Sequence, residues 1–151
     1  IAAVEDAPAA IQAILAAAGL PSRIHVPSCS PLRELPWEKA PDLMLSDRAP
    51  TKDDAAFSAA DYAVAETGTL AFFSGSRSLS SWHFRPGREI VLLLRPCILP
   101  RLEDVIGLLR AGRQMPATMN LVTGPSRTAD IEQTIELGAH GPCATHILIV
   151  G

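Results

Sequence analysis

Two stretches of this chain concentrate residue types that bind or activate small molecules, and both border apolar runs. One is Asp61-Tyr62-Ala63-Val64-Ala65-Glu66-Thr67-Gly68-Thr69-Leu70. The other is Gly124-Pro125-Ser126-Arg127-Thr128-Ala129-Asp130-Ile131-Glu132, followed shortly by Gly138-Ala139-His140-Gly141-Pro142. Each sets an acid, hydroxyls and a glycine where a strand is expected to end, and in α/β sheets ligands gather at strand ends. In the second stretch a glycine–proline turn is expected to lead into a short helix capped by Ser126 or Thr128. Backbone N–H groups at such a turn, with Arg127 beside them, would hold a phosphate or carboxylate. The same residues would equally make a capped turn that binds nothing. The Gly-x-x-x-x-Gly-Lys pattern of a phosphate-binding loop is absent.

Glu66 stands between two apolar strands and precedes Thr67-Gly68-Thr69, a setting expected to bury it in part. A partly buried carboxylate has a raised pKa and can act as base or nucleophile; it can also accept backbone N–H bonds and fix the turn. His140, in a loop before the last apolar run, could donate to an anion, exchange a proton near neutral pH, or bond a backbone carbonyl. His25, His83 and His146 lack comparable neighbours, and four scattered histidines without a His-x-x-x-His pair do not suggest a metal site. Trp82, His83, Phe84 and Arg85 form an aromatic and basic knot in a loop, suited to stacking on a ring or to packing that loop on its own domain. No Gly-x-Ser-x-Gly occurs.

The elements that must position these residues follow from periodicity. Ile11, Ile14 and Leu15 at helical spacing in an alanine-rich run predict a helix over residues 4–18, stopped by Gly19 and Pro21. Residues 21–50 hold six prolines and read as irregular, with short strands at 23–26 and 43–45. Residues 51–60 read as a short helix, Asp53 and Asp54 lying in its first turn where the helix dipole favours acids. Strands are expected at 62–65, 69–73, 89–94, 120–123 and 145–150, with a polar loop over 74–88. Leu102, Val105, Ile106 and Leu109 form the apolar stripe of a helix over 100–111, ended by Gly112. Short apolar runs alternating with amphipathic stretches give an α/β fold with a mostly parallel sheet. Glu66, Thr67, Gly68, Ser126, Thr128, Asp130, His140 and Gly141 are then expected to converge on one cleft at its strand ends.

With 151 residues, 48% of them hydrophobic and 19% charged, the chain has the make-up of one globular domain. Its net charge of −3 argues against broad nucleic-acid binding, which wants a basic face. Cys29, Cys97 and Cys143 are isolated, so a disulfide framework, a zinc ribbon and an iron–sulfur cluster are all poorly supported; reduced thiols in the cytoplasm are the simplest expectation. No apolar run approaches the roughly 20 residues that span a bilayer, and no signal peptide is expected, because residues 2–19 carry Glu5 and Asp6 without a basic leader.

Ala65-Glu66-Thr67-Gly68-Thr69, then Gly124-Pro125-Ser126 with Thr128 and Asp130-Ile131-Glu132, then His140-Gly141-Pro142 before an apolar C-terminal strand, resemble the LUD domain of the bacterial lactate-utilisation protein C family. The resemblance runs from about Asp61 to Gly151. Because family members are longer, the short N-terminal half fits truncation, a shortened relative or missing residues. The resemblance implies a single domain over 1–151, a sheet of the sugar-isomerase and CoA-transferase type and helices on both of its faces. It also implies a part in L-lactate oxidation to pyruvate beside iron–sulfur proteins. Relatives in the wider superfamily bind phosphate, CoA or nucleotides, so an anionic ligand on Thr67, Gly68, Thr69, Gly124, Ser126, Arg127, Thr128, Asp130, His140 and Gly141 is the expectation carried over; no resident cofactor is expected. The alternatives are an independent enzyme of the CoA-transferase or phosphosugar-isomerase kind using Glu66, and a metabolite-sensing module.

Overall fold

The alanine-rich start folds as its isoleucine and leucine spacing requires. In the computed structural model, which describes residues 1–74, 82–112, 115–129, 135–137 and 141–151 (127–129 and 135–137 as backbone), a 3-10 turn over Val4–Asp6 leads into helix α1 (Ala7–Ala17). Pro8 lies in the first turn of α1, where the missing N–H costs nothing. Helix α2 is Leu102–Ala111. The Asp104 carboxylate accepts the Arg101 N–H at 3.0 Å and so ties off a free donor at the start of α2.

Among the described residues, eleven strands accompany the helices: β1 (Arg23–His25), β2 (Met44–Ser46), β3 (Ala55–Ala59), β4 (Tyr62–Val64), β5 (Thr69–Phe73), β6 (Arg88–Leu94), β7 (Ile98–Leu99), β8 (Met119–Thr123), β9 (Arg127–Ala129), β10 (Ile135–Leu137) and β11 (Ala144–Val150). Five of them make a wholly parallel sheet in the order β11-β6-β3-β1-β2. A second, mixed sheet has the order β7-β4-β5-β8, and β9 and β10 form an antiparallel ribbon.

The period of two along each central strand divides the interior. Ile24, Phe57, Ile90, Leu92, Leu148 and Val150 join Ala7, Ile11 and Leu15 of α1 in one core. Val91 and Leu93, on the other side of β6, meet Ala63, Leu70 and Phe72 of the mixed sheet in a second. Helix α1 therefore covers one face of the parallel sheet, while the mixed sheet lies on the other and α2 packs on β4 and β7. Burial on both sides explains why β6 reads as an unbroken apolar run. The chain passes from one sheet to the other at two consecutive residues. Ala60 N–H still bonds Leu92 O at 3.0 Å, and Asp61 N–H bonds Ala71 O at 3.0 Å.

The helix expected over residues 51–60 is instead a turn followed by β3. Asp54 does organise backbone there, but as the acceptor of the Thr51 N–H and hydroxyl at 2.8 and 2.7 Å. Beyond it, parallel partners on both sides satisfy the backbone of Ala55–Ala59, overriding the helical leaning of its alanines. Likewise the short capped helix expected after Gly124 begins as strand β9, paired residue for residue with β10.

Candidate functional site

The loop residues singled out by their types do come together in part. Gly68, at φ +66°, turns the chain between β4 and β5, and its N–H bonds Val64 O at 2.9 Å. Thr67 Oγ1 and Thr69 Oγ1 are 2.7 Å apart, and Thr69 Oγ1 lies 2.8 Å from Thr123 Oγ1 across the β5–β8 pairing. From Thr123 the chain turns at Gly124, φ +74°. Ser126 N–H bonds Pro142 O at 2.8 Å, and a Cβ on Gly141 would sit 3.3 Å from Ser126 Cβ. The β4–β5 turn, the end of β8 and the segment before β11 are thus neighbours. Asp130 and His140 lie outside the described residues, and of Arg127 and Thr128 only the backbone is described.

Two expectations change here. Glu66 is exposed, not partly buried. Its N–H is held by Pro100 O at 3.2 Å, but its carboxylate has no hydrogen-bond partner among the described residues, so nothing there activates it. Among the described residues, the turn after β8 shows no row of converging N–H donors. Pro125 has no N–H, Ser126 N–H is taken by Pro142, and the Arg127–Ala129 backbone extends as a strand. Extended backbone does not converge N–H groups as a helix start does.

A different cluster is sealed inside. Glu89 (1% exposed) and His83 (2%) are among the few buried polar residues. His83 Nδ1 lies 2.6 Å from Glu89 Oε1, and Ser58 Oγ donates to the same oxygen at 2.7 Å. Glu89 Oε2 is buried without a hydrogen bond. The His83 ring also lies tilted by 33° over Phe72, with centroids 4.0 Å apart. The strand pattern makes this grouping. Ser58 on β3 and Glu89 on β6 alternate with Phe57 and Ile90, so they occupy the face opposite α1. The serine gives its proton to the acid and not to the histidine, so this is not a nucleophile–histidine–acid relay. It is a carboxylate holding two donors in fixed orientation.

Ser58 and His83 border a cavity of about 790 Å³, within the usual size range of small-molecule sites. It runs along β3 from Ala56 and on past its end to Asp61, and reaches residues after β1 (Pro27, Ser30), the last residue of β6 (Leu94) and Cys97 beyond it. Phe73, Trp82, Leu109 and Met115 supply an apolar wall, beside the hydroxyl of Ser74. It therefore extends to the carboxyl ends of three parallel strands, where α/β sheets hold ligands. None of the described residues expected to bind a ligand (Glu66, Thr67, Gly68, Thr69, Gly124, Ser126, Gly141) borders it. One sequence signal for it was present: Glu89 opens an otherwise apolar, doubly covered strand, and an acid there must be paired. The partner, His83, has no readable link to Glu89 except through the fold.

Two further charged sites flank the sheet. Burial pushes the Asp54 carboxyl up, but the two Thr51 hydrogen bonds, with His25 and Arg48, outweigh this and hold its pKa below the usual value. Arg48 Nη2 is 2.9 Å from Asp54 Oδ2. His25 gives Nδ1 to Arg48 O at 2.8 Å, and its Nε2 lies 3.2 Å from Asp54 Oδ1 at an angle too oblique for a hydrogen bond. His146 Nε2 is 3.0 Å from Arg88 Nη1, and burial, then that guanidinium, push its pKa down. Among the described residues no group of three or more His, Cys, Asp or Glu is placed to hold a metal ion, and no helix is long and apolar enough to cross a membrane.

The architecture is that of an α/β protein built on a parallel sheet with a smaller mixed sheet against it. Residues 48–150 match the LUD domain model, and the chain belongs to that family. It is 30% identical over 118 residues to Lactate utilization protein C of Halalkalibacterium halodurans, covering 76% of this chain and 51% of that protein. It is 35% identical over 94 residues to Lactate utilization protein C 1 of Bacillus mycoides, covering 60% of this chain and 40% of that protein. The chain thus spans about half the length, or less, of these relatives. A DUF162 family protein from Deinococcus radiodurans superposes with a TM-score of 0.66 over 97% of this chain and 84% of its own, at 19% identity, which supports the fold alone.

Proposed function

We propose that this chain belongs to a protein of bacterial L-lactate utilisation, supporting oxidation of L-lactate to pyruvate by iron–sulfur partner proteins without carrying the redox centre. The observation that carries this reading is the LUD match over residues 48–150, together with relatives named Lactate utilization protein C. Three isolated cysteines are too few and too scattered to ligate a cluster, so the electrons are assigned to the partners. The exposed Glu66, whose carboxylate has no hydrogen-bond partner among the described residues, gives no support to an independent CoA-transferase or isomerase that uses it as nucleophile or base.

Deletion of the gene should impair growth on L-lactate while sparing growth on glucose. The purified protein alone should show no lactate dehydrogenase activity and hold no iron. Normal growth of the deletion strain on L-lactate, with no second copy present, would remove the pathway assignment.

A further inference from the structure

We propose that the cavity along β3 binds a planar heteroaromatic ring that carries N–H donors on one edge, of the kind a nucleobase presents. The inference stands on the cavity alone and does not depend on the pathway reading.

Charge comes first. No lysine or arginine borders the cavity among the described residues, whereas the Asp61 carboxylate does. An anionic group placed beside Asp61 would lose its hydration next to a like charge, so the edge of the occupant that faces Asp61 is not an anion.

Polarity is set by hydrogen bonds already made. Ser58 gives its proton to Glu89, so its oxygen can offer a ligand only lone pairs. Asp61 accepts the Phe73 N–H at 2.7 Å and has lone pairs left over. The β3 side of the cavity is therefore an accepting edge, and a ligand must bring donors to it. Ser74 and Ser30 are the reverse case. Each hydroxyl accepts a backbone N–H, from Thr118 at 2.8 Å and Leu32 at 3.3 Å, and keeps its own proton to give. A ligand with donors on one edge and acceptors on another satisfies both.

Shape follows from the strand. Ala56, Ser58 and Ala60 are the side chains that β3 turns away from α1, and their small size leaves a flat floor. Trp82 and Phe73 supply aromatic walls to a flat guest. Glu89 does not border the cavity. It is a positioning residue, which fixes the direction of the Ser58 proton and of the His83 ring.

Calorimetric titration with adenosine, cytidine and riboflavin tests this, with L-lactate and inorganic phosphate as anionic contrasts. At least one ring should bind at sub-millimolar to millimolar concentration, and neither anion should compete with it. Methylating the donor nitrogen of that ring should weaken binding about tenfold or more, the effect of leaving a buried acceptor unpaired. Ala60→Phe, on the cavity floor, should abolish binding in protein that a urea transition shows to be folded. Ser58→Ala should bring the parent and methylated rings to similar affinity, a change that loss of general stability would not produce. Binding by none of the three rings, competition by either anion, or retained binding in folded Ala60→Phe would each overturn the proposal.

Discussion

The hydroxyl-rich turns around Thr69 and Ser126 and the sealed Ser58–Glu89–His83 cluster use nearly the same residue types, yet they differ in what surrounds them. Thr67, Thr123 and Glu66 are exposed, and the two threonine hydroxyls bond Thr69 Oγ1 beside water. Glu89 and His83 are at most 2% exposed, and their 2.6 Å contact lies between two sheets. Water competes for every bond in the first region and for almost none in the second, where removing a partner leaves a charge or donor with nowhere to go. Acids, hydroxyls and glycines close together in sequence are thus weak evidence of a working site. The same groups brought together by strands of different registers, with water excluded, are stronger evidence.

Glu89→Ala should give the largest effect and would break this comparison if it did not. Loss of the acceptor strands His83 Nδ1 and the Ser58 hydroxyl, so a destabilisation of about 3–5 kcal/mol is expected in urea unfolding. A loss under 1 kcal/mol would mean the cluster is no more consequential than the open turns. Gly87→Ala probes the backbone that places Glu89. A Cβ at Gly87 would overlap the Lys52 carbonyl oxygen, and Gly87 O accepts the Cys143 N–H at 2.8 Å. Backbone must move, at a cost of about 1–3 kcal/mol, read as a lower urea midpoint with an unchanged slope.

Thr69→Val removes the central hydroxyl of the Thr67–Thr69–Thr123 chain. Thr69 itself is 8% exposed, but both partners are open to water and can be resolvated. About 1 kcal/mol is expected, and a loss equal to that of Glu89→Ala would erase the distinction between the regions. His146 sharpens the comparison through pH. Its folded pKa is depressed below the usual value of 6.5, so the native state binds fewer protons than the unfolded chain just below that pH. Its contribution is complete above about pH 6.5 and is lost as pH falls towards the folded pKa. His146→Gln should flatten that part of the stability profile. Glu66→Gln, at the exposed end of the scale, should change stability by no more than about 0.5 kcal/mol.

Much of the scaffold was legible locally. Ile11 and Leu15 marked α1, the stripe through Val105 marked α2, and the apolar runs of β5, β6, β8 and β11 marked strands within a residue or two. These signals survive because periodicity records which side of an element is buried. The errors have a common cause. Ala55–Ala59 lacks the β-branched residues that announce a strand, and only β1 and β6 on either side hold it extended. Arg127–Ala129 reads as a helix entrance until β10 pairs with it. Glu66 reads as enclosed because its neighbours in sequence are apolar, although the turn carries it outward.

Family membership, the α/β class and the identity of most elements were determined by the sequence alone, since each rests on the order and spacing of residues along the chain. Tertiary structure alone decided which polar residues are shut away from water. His25 and Asp54, 29 positions apart, face each other, and Ser58 and His83 meet on a glutamate borne by a third segment. Such meetings depend on strand register and on which face of the sheet the mixed sheet covers. Both are set by long-range pairing, whose partners no local pattern specifies.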